Sequence, residues 1–263
     1  MRTHRLVDKE LRVKQETLIT AAGGNGTAVR ILKDSLSRSE YESIGKDLGE
    51  RFEEFEAEQA GFLVLNDRHF EMAGGEFCGN ASRAAAVLFS QALDTDDVSF
   101  TVSGFDGMVD AHVEQKDASH FNVRCIFPGM PTDVREVTLA DGTPASIVDL
   151  GGIVHVVIEA PFPADPAVYE KEHATITEMF KLGERDAVGV VWFERTADSI
   201  QMHPVVWVKA INTFFYESSC GSGTIAVGRV TSVPSIVQPS GQMISAEITE
   251  DAVILSSEME VVR

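Results

Sequence analysis

Two cysteines stand out by the residues after them. Cys78 leads Gly79-Asn80-Ala81-Ser82 and Cys220 leads Gly221-Ser222-Gly223-Thr224, and both strings run into small apolar residues, Ala84-Ala85-Ala86-Val87 and Ile225-Ala226-Val227. Each cysteine therefore opens a helix. At a helix start the first backbone N–H groups lack partners and the positive end of the helix dipole favours an anion. Such surroundings bring a thiol from about 8.5 down to roughly 3.5 to 7.5, where it exchanges protons near neutral pH. The same N–H groups can hold a carboxylate. If the two helix starts meet, one thiol faces each side of a carboxylate-bearing carbon, and both dipoles stabilise the enolate-like charge that develops there. That arrangement removes an α-proton on one face and returns a proton on the other, which is racemisation by two bases. Cys78 and Cys220 are the expected acid/base pair, and Gly79, Asn80, Gly221 and Ser222 are expected to bind the α-carboxylate. The scheme calls for no pyridoxal phosphate, other cofactor or metal. The third cysteine, Cys125, lies in Val123-Arg124-Cys125-Ile126-Phe127 and reads as a strand residue without chemistry.

The elements that position these motifs come in two similar sets. Gly107-Met108-Val109-Asp110-Ala111-His112-Val113, after the first motif, echoes Gly241-Gln242-Met243-Ile244-Ser245-Ala246-Glu247-Ile248 after the second. Gly23-Gly24-Asn25 precedes the first motif as Gly151-Gly152-Ile153-Val154-His155 precedes the second. Repeats that keep their order while their offsets drift predict a duplicated chain with pseudo-symmetric halves. Helical spacing appears in Ser35 to Phe55, Cys78 to Leu93 and Pro166 to Leu182, and β-branched runs at Ser99 to Val102, Met108 to Val113, Ile153 to Ile158 and Val188 to Phe193 read as strands. The class is α+β, with more strand than helix. The acidic run Glu53, Glu54, Glu56, Glu58 reads as a solvated helix face.

Composition removes other functions. The 263 residues carry 22 Lys and Arg against 41 Asp and Glu, a net charge of −19, so a nucleic-acid partner is not expected. The segment MRTHRLVDKELRVKQ has no apolar signal region, and the longest apolar stretch, Ile147 to Phe162, is broken by Asp149, His155 and Glu159. A cytoplasmic protein without a membrane span is expected. The three cysteines are far apart, which suggests neither a zinc site nor a disulfide framework. Gly221-Ser222-Gly223-Thr224-Ile225-Ala226 fits the dinucleotide fingerprint, but the residues after it read as strands and leave no room for the parallel sheet that motif needs.

Over nearly the whole chain, these residues resemble the cofactor-independent racemases and epimerases of the diaminopimelate epimerase superfamily. Gly74-Gly75-Glu76-Phe77-Cys78-Gly79-Asn80-Ala81-Ser82-Arg83 is similar to the family's Cys-Gly-Asn-Gly-x-Arg box, and Ser218-Ser219-Cys220-Gly221-Ser222-Gly223-Thr224 to its Ala-Cys-Gly-[ST]-Gly box. Gly24-Asn25, Gln59 and the segment from Gly151 to His155 match more weakly. The resemblance implies two pseudo-symmetric domains, each a barrel-like sheet around a central helix, with a free amino acid bound between them. They would span 1–120, with a strand at about 254–263 returning to it, and 121–253. A homodimer is implied as well. Asn25, Gln59 and His155 would contact the substrate, although Asn25 also suits a left-handed turn and His155 a hydrogen-bonded core position.

Departures from the family narrow the substrate. The asparagines that hold the far end of diaminopimelate fall on Met72 or Glu71, on Gly152 and near Ala187, and the Glu-Arg pair before the second cysteine falls on Ile211-Asn212. A buried distal carboxylate would be unpaired there, at a cost of several kcal/mol. The resemblance then points to the sibling branch of histidine racemases, with Met72, Phe77, Tyr216 and Glu217 as walls for an imidazole. Diaminopimelate epimerisation, or another isomerisation within the superfamily, is the alternative.

Overall fold

The computed structural model describes residues 15–262. Residues 1–14, most of the segment read for a leader and the start of the expected first domain, lie outside the described residues, as does residue 263.

The first half runs β1 (Glu16–Ala21), β2 (Gly24–Leu32), α1 (Arg38–Phe52), β3 (Ala57–Val64), β4 (His69–Met72), α2 (Gly79–Leu93), β5 (Asp97–Val102), β6 (Val109–Gln115) and β7 (His120–Pro128). The second runs β8 (Asp133–Thr138), β9 (Pro144–Asp149), β10 (Val154–Glu159), α3 (Pro166–Met179), β11 (Ala187–Arg195), β12 (Ile200–Val208), β13 (Thr213–Tyr216), α4 (Gly221–Thr231), β14 (Ser235–Val237), β15 (Met243–Ile248) and β16 (Ala252–Val261). This is an α and β protein built on a large sheet with few helices.

Strand pairing repeats in the order the sequence repeats predict. β1 pairs antiparallel with β2, β2 parallel with β3 across α1, β3 antiparallel with β4, β4 parallel with β5 across α2, and β5, β6 and β7 continue antiparallel. In the second half β9 and β10, β10 and β11 across α3, β11 and β12, β12 and β14 across α4, then β14, β15 and β16 reproduce each of those relations. Parallel neighbours need a crossover, and each crossover is a helix. The echoing glycine-led runs are β6 and β15.

The halves differ at their edges. β16 pairs with β7 and also with β1, so strands β1 to β7 and β16 close into a ring. The second half ends on β8 and stays open, and β13 is an extra strand on β12. α2 packs against every strand of the ring, and its residues Gly79 to Phe89 are all buried. Its small apolar run from Ala84 to Phe89 suits a helix enclosed by a core. α4 is buried from Gly221 to Gly228 and touches β9, β10, β11, β14, β15 and β16.

The acidic run divides. Glu53 and Glu54 are exposed in a single 3-10 turn that ends at Phe55, and Glu56, at φ 60°, swings the chain into β3. Glu58 therefore leaves the solvated face and sits on a strand, half-buried, beside Gln59. Helical spacing had placed it on the wrong element.

Candidate active site

Both cysteines cap their helices with the same geometry. Cys78 (φ −132°, ψ 114°) accepts the N–H of Ala81 at 3.3 Å on Sγ, and Cys220 (φ −144°, ψ 109°) accepts that of Gly223 at 3.3 Å. The two helix starts touch. A Cβ on Gly79 would lie 3.2 Å from Gly221 Cα, and one on Gly221 would lie 3.1 Å from both Asn80 Oδ1 and Arg83 Nη2. That crowding is why glycine comes after each cysteine. Asn80 Nδ2 donates to the carbonyl of Ser219 at 2.9 Å, tying the first helix start to the residue before the second cysteine.

A single cavity lies between these ends. Gln59, Met72, Phe77, Cys78, Asn80, Glu217, Cys220, Gly221 and Ser222 all line it, so most of the expected site residues converge. The Cys78 thiol donates to Gln59 Oε1 at 2.8 Å, and Gln59 Nε2 donates to Glu217 Oε1 at 3.1 Å. Gly79 lies at the helix contact behind the lining. Tyr216 faces away, stacked on Phe162 with its hydroxyl 2.8 Å from His203 Nδ1, because alternation along β13 sends Phe215 and Glu217 inward and Tyr216 outward.

Asn25 and His155 stand behind the wall. Asn25 is 1% exposed at φ 44°; its backbone N–H donates to Ser218 Oγ at 2.6 Å, and neither amide atom of its side chain has a hydrogen-bond partner among the described residues. It thus takes the left-handed turn and also keeps a buried, unsatisfied amide. His155 is fully buried with Nε2 2.9 Å from Ser222 Oγ. Burial pushes its pKa down to about 3, so the ring is uncharged near neutral pH.

Two acidic lining residues, Glu58 and Glu76, escaped the sequence reading. Glu58 accepts from Ser218 Oγ at 2.5 Å, while its Oε2 and the Oε2 of Glu76 are buried without partners among the described residues. Burial raises Glu58 to about 6, Glu76 to about 7 and Glu217 to about 8, the last also through the nearby Glu58 charge. Among the described residues no Lys, Arg or His lines the cavity. The signal for Glu76 was present in the first cysteine box; that for Glu58 was its adjacency to Gln59.

The thiols correct one expectation. Burial pushes Cys78 up to about 12 and Cys220 well above its ordinary value, and Glu217 adds to both. Desolvation and carboxylate charge outweigh the helix ends. Among the described residues no cluster of three or more His, Cys, Asp and Glu could hold a metal, and no helix is long and apolar enough to cross a membrane.

The fold falls within a known class. It is similar to a PhzF-family phenazine biosynthesis protein from Enterococcus faecalis, with TM-score 0.53, 17% identity and coverage of 94% of this chain and 96% of that one. It is also similar to a predicted epimerase from Pseudomonas aeruginosa, with TM-score 0.62, 11% identity and coverage of 95% and 98%. The family model described as the histidine racemase CntK N-terminal domain matches residues 24–259, and the chain belongs to that family of racemase enzymes. Curated relatives include a histidine racemase from Fusobacterium nucleatum, 31% identical over 70% of this chain and 71% of the relative, and one from Staphylococcus aureus, 26% identical over 78% and 76%.

Proposed function

We propose that this enzyme racemises a free α-amino acid with a basic side chain, histidine first, by proton exchange between Cys78 and Cys220. The observation that carries the mechanism is the pair of identically capped cysteines on touching helix starts, facing one cavity. The backbone N–H groups of the two starts hold the α-carboxylate. One cysteine, as thiolate, takes the α-proton; the other, as thiol, delivers a proton to the opposite face; the roles exchange with the hand of the substrate.

The carboxyls select the substrate. Glu58, Glu76 and Glu217 face a cavity with no cationic side chain among the described residues, so a bound α-ammonium and a basic side chain supply the missing charge. Their arrival offsets the carboxylates that oppose the thiolate. A second carboxylate, as in diaminopimelate, would meet Glu side chains and the apolar Met72 and Ile211. Gly152 offers that carboxylate nothing either, since a Cβ there would lie 2.4 Å from Gly104 O. The names of the curated relatives support histidine in particular.

The repeated pairing order supports two pseudo-symmetric domains with the cavity between them. Because β7 pairs with β6 and touches α2, we move the proposed boundary from residue 120 to after Pro128, with β16 returning to the first domain. A homodimer in the cytoplasm, acting on small molecules alone, completes the reading.

The test is proton NMR of the reduced protein in D₂O with L-histidine, L-lysine and diaminopimelate, and then chiral chromatography. Loss of the histidine α-proton signal with appearance of D-histidine is expected. Exchange of diaminopimelate alone, or of nothing, overturns the reading.

A further inference from the structure

Arg83 is a buried charge without an acidic partner among the described residues. It is 0% exposed, the largest fully buried side chain of those residues, and its hydrogen bonds go to neutral oxygens. Nε donates to the carbonyl of Gly79 at 3.2 Å, Nη2 donates to Asn80 Oδ1, and Nη1 has no partner among the described residues. A buried guanidinium ordinarily demands an anion, because stripping its water costs several kcal/mol. Its charge acts on Cys125 from β7 first, and then on Cys78 at the start of α2 and Cys220 at the start of α4. Its Nη2 lies where the two helix starts cross, 3.1 Å from the position of a Cβ on Gly221.

We propose that Arg83 is a positioning residue whose fixed positive charge, held beneath both Cys-capped helix starts, favours the thiolate of whichever cysteine is acting as base. A two-base racemase moves one negative charge between two sulfurs. A counter-charge on either side would favour one hand of the reaction, whereas one placed beneath the crossing serves both. Its missing carboxylate fits the same role, since an acidic partner would cancel the field at both thiols. Burial works against the guanidinium charge and lowers its pKa to about 10, which still leaves it protonated near neutral pH.

The inference rests on reading Cys78 and Cys220 as the proton pair, and its test needs no turnover. Alkylation of each cysteine by iodoacetamide is timed at about pH 8, where the guanidinium is charged, peptide by peptide, in the wild type, Arg83→Gln and Arg83→Lys, with near-ultraviolet dichroism and thermal unfolding as checks of the fold. Arg83→Gln should slow alkylation of both Cys78 and Cys220 by roughly tenfold or more, the equivalent of about one pH unit less thiolate. Arg83→Lys should stay near the wild type. Unchanged rates in a folded Arg83→Gln protein overturn the proposal, as do equal losses in both variants, which would show that the hydrogen-bond fork and not the charge matters. If Arg83→Gln does not fold, the Nε resonance of Arg83 in the wild-type protein decides: it should move when Cys78 or Cys220 is carboxymethylated by iodoacetate, which fixes a negative charge beside the sulfur, and a constant resonance overturns the proposal. Slowed alkylation without racemisation would refute the proposed reaction and leave Arg83's role standing; unchanged rates with racemisation would do the reverse.

Discussion

The two cysteines share a cap and differ in nearly everything else. Cys78 keeps partial access to the cavity, donates to Gln59, and faces the carboxyls of Glu76 and Glu217. Cys220 is buried, shares the Glu217 carboxyl with Cys78, and is otherwise set among neutral groups. Its N–H donates to Gln238 Oε1 at 2.8 Å, Gln238 Nε2 donates to Thr224 Oγ1 and to the Ile236 carbonyl, and Ser222 Oγ lies 3.5 Å from the thiol with His155 behind it. The helix-start geometry is therefore the same at both cysteines while the surrounding shells differ. Backbone N–H groups supply what both proton transfers share, and side chains supply what distinguishes them.

The comparison breaks first if the two thiols are not both needed. Cys78→Ala and Cys220→Ala should each lower racemisation of L- and D-histidine by about a thousandfold or more, within the range for loss of a positioned acid or base. Unfolding temperatures should change far less than activity, because the hydrogen bonds of a thiol are weak. Chiral chromatography over long incubations checks this, and one variant retaining a tenth of the activity would refute a two-thiol mechanism.

Glu217 is the group that both thiols share by charge, so its replacement sharpens the comparison. Glu217→Gln should lower the alkylation midpoints of Cys78 and Cys220 together, since a neighbouring carboxylate raises both. It should also raise the KM for histidine by roughly 10- to 100-fold, the value of a charge-assisted hydrogen bond to a ligand. A variant with lower midpoints and an unchanged KM would show that Glu217 tunes sulfur without touching substrate.

Stability against pH tests the carboxyls as a group. Glu58, Glu76 and Glu217 rise from 4.5 to about 6, 7 and 8 on folding, so the native chain binds their protons more tightly than the unfolded chain. Their stabilisation is complete below pH 4.5 and is lost as the pH rises through about 6, 7 and 8. His155 acts in the other direction: its contribution is present above 6.5 and falls away toward its folded value of about 3. The unfolding temperature should therefore fall between mildly acidic and alkaline solution, and the combined variant Glu58→Gln, Glu76→Gln should flatten that slope. L-histidine should recover more of the loss at the alkaline end, where ionised carboxyls meet its ammonium. Scanning calorimetry across the range decides it.

Much of this site could be read from residue order because its chemistry is local. Cys78-Gly79 and Cys220-Gly221 carry the cap, the close approach and the helix start within a few positions, and the glycine-led strands after them pointed to the repeated pairing order. What stayed hidden depends on register and burial. Phe215 and Val206 reach the cavity only because β13 pairs antiparallel with β12, placing Val206 opposite Phe215. The expected lowering of the thiols failed for the same reason: composition does not show that both thiols are buried beside a cavity lined by three carboxyls. Glu58 was missed because it sits just past the end of an acidic helix and keeps that helix's spacing, and the left-handed turn at Glu56 that removes it has no glycine to announce it.

The smallest effect is the most discriminating. Ser222 touches one thiol, so Ser222→Ala should raise the alkylation midpoint of Cys220 and leave that of Cys78 in place, because the lost hydrogen bond favours the Cys220 thiolate. A neutral hydrogen bond of this kind contributes about 0.5 to 1.5 kcal/mol, which corresponds to a roughly 2- to 10-fold loss of rate. The two directions cannot diverge in kcat/KM, since L- and D-histidine are equal in free energy and the ratio of the two values is fixed at unity. The asymmetry must appear instead in kcat and KM separately. The direction in which Cys220 is the base should lose kcat and gain a larger isotope effect from α-deuterated substrate, while the direction in which Cys78 is the base keeps its isotope effect. Equal isotope effects in both directions, before and after the substitution, would show that the two shells, for all their differences, present the substrate with equivalent bases.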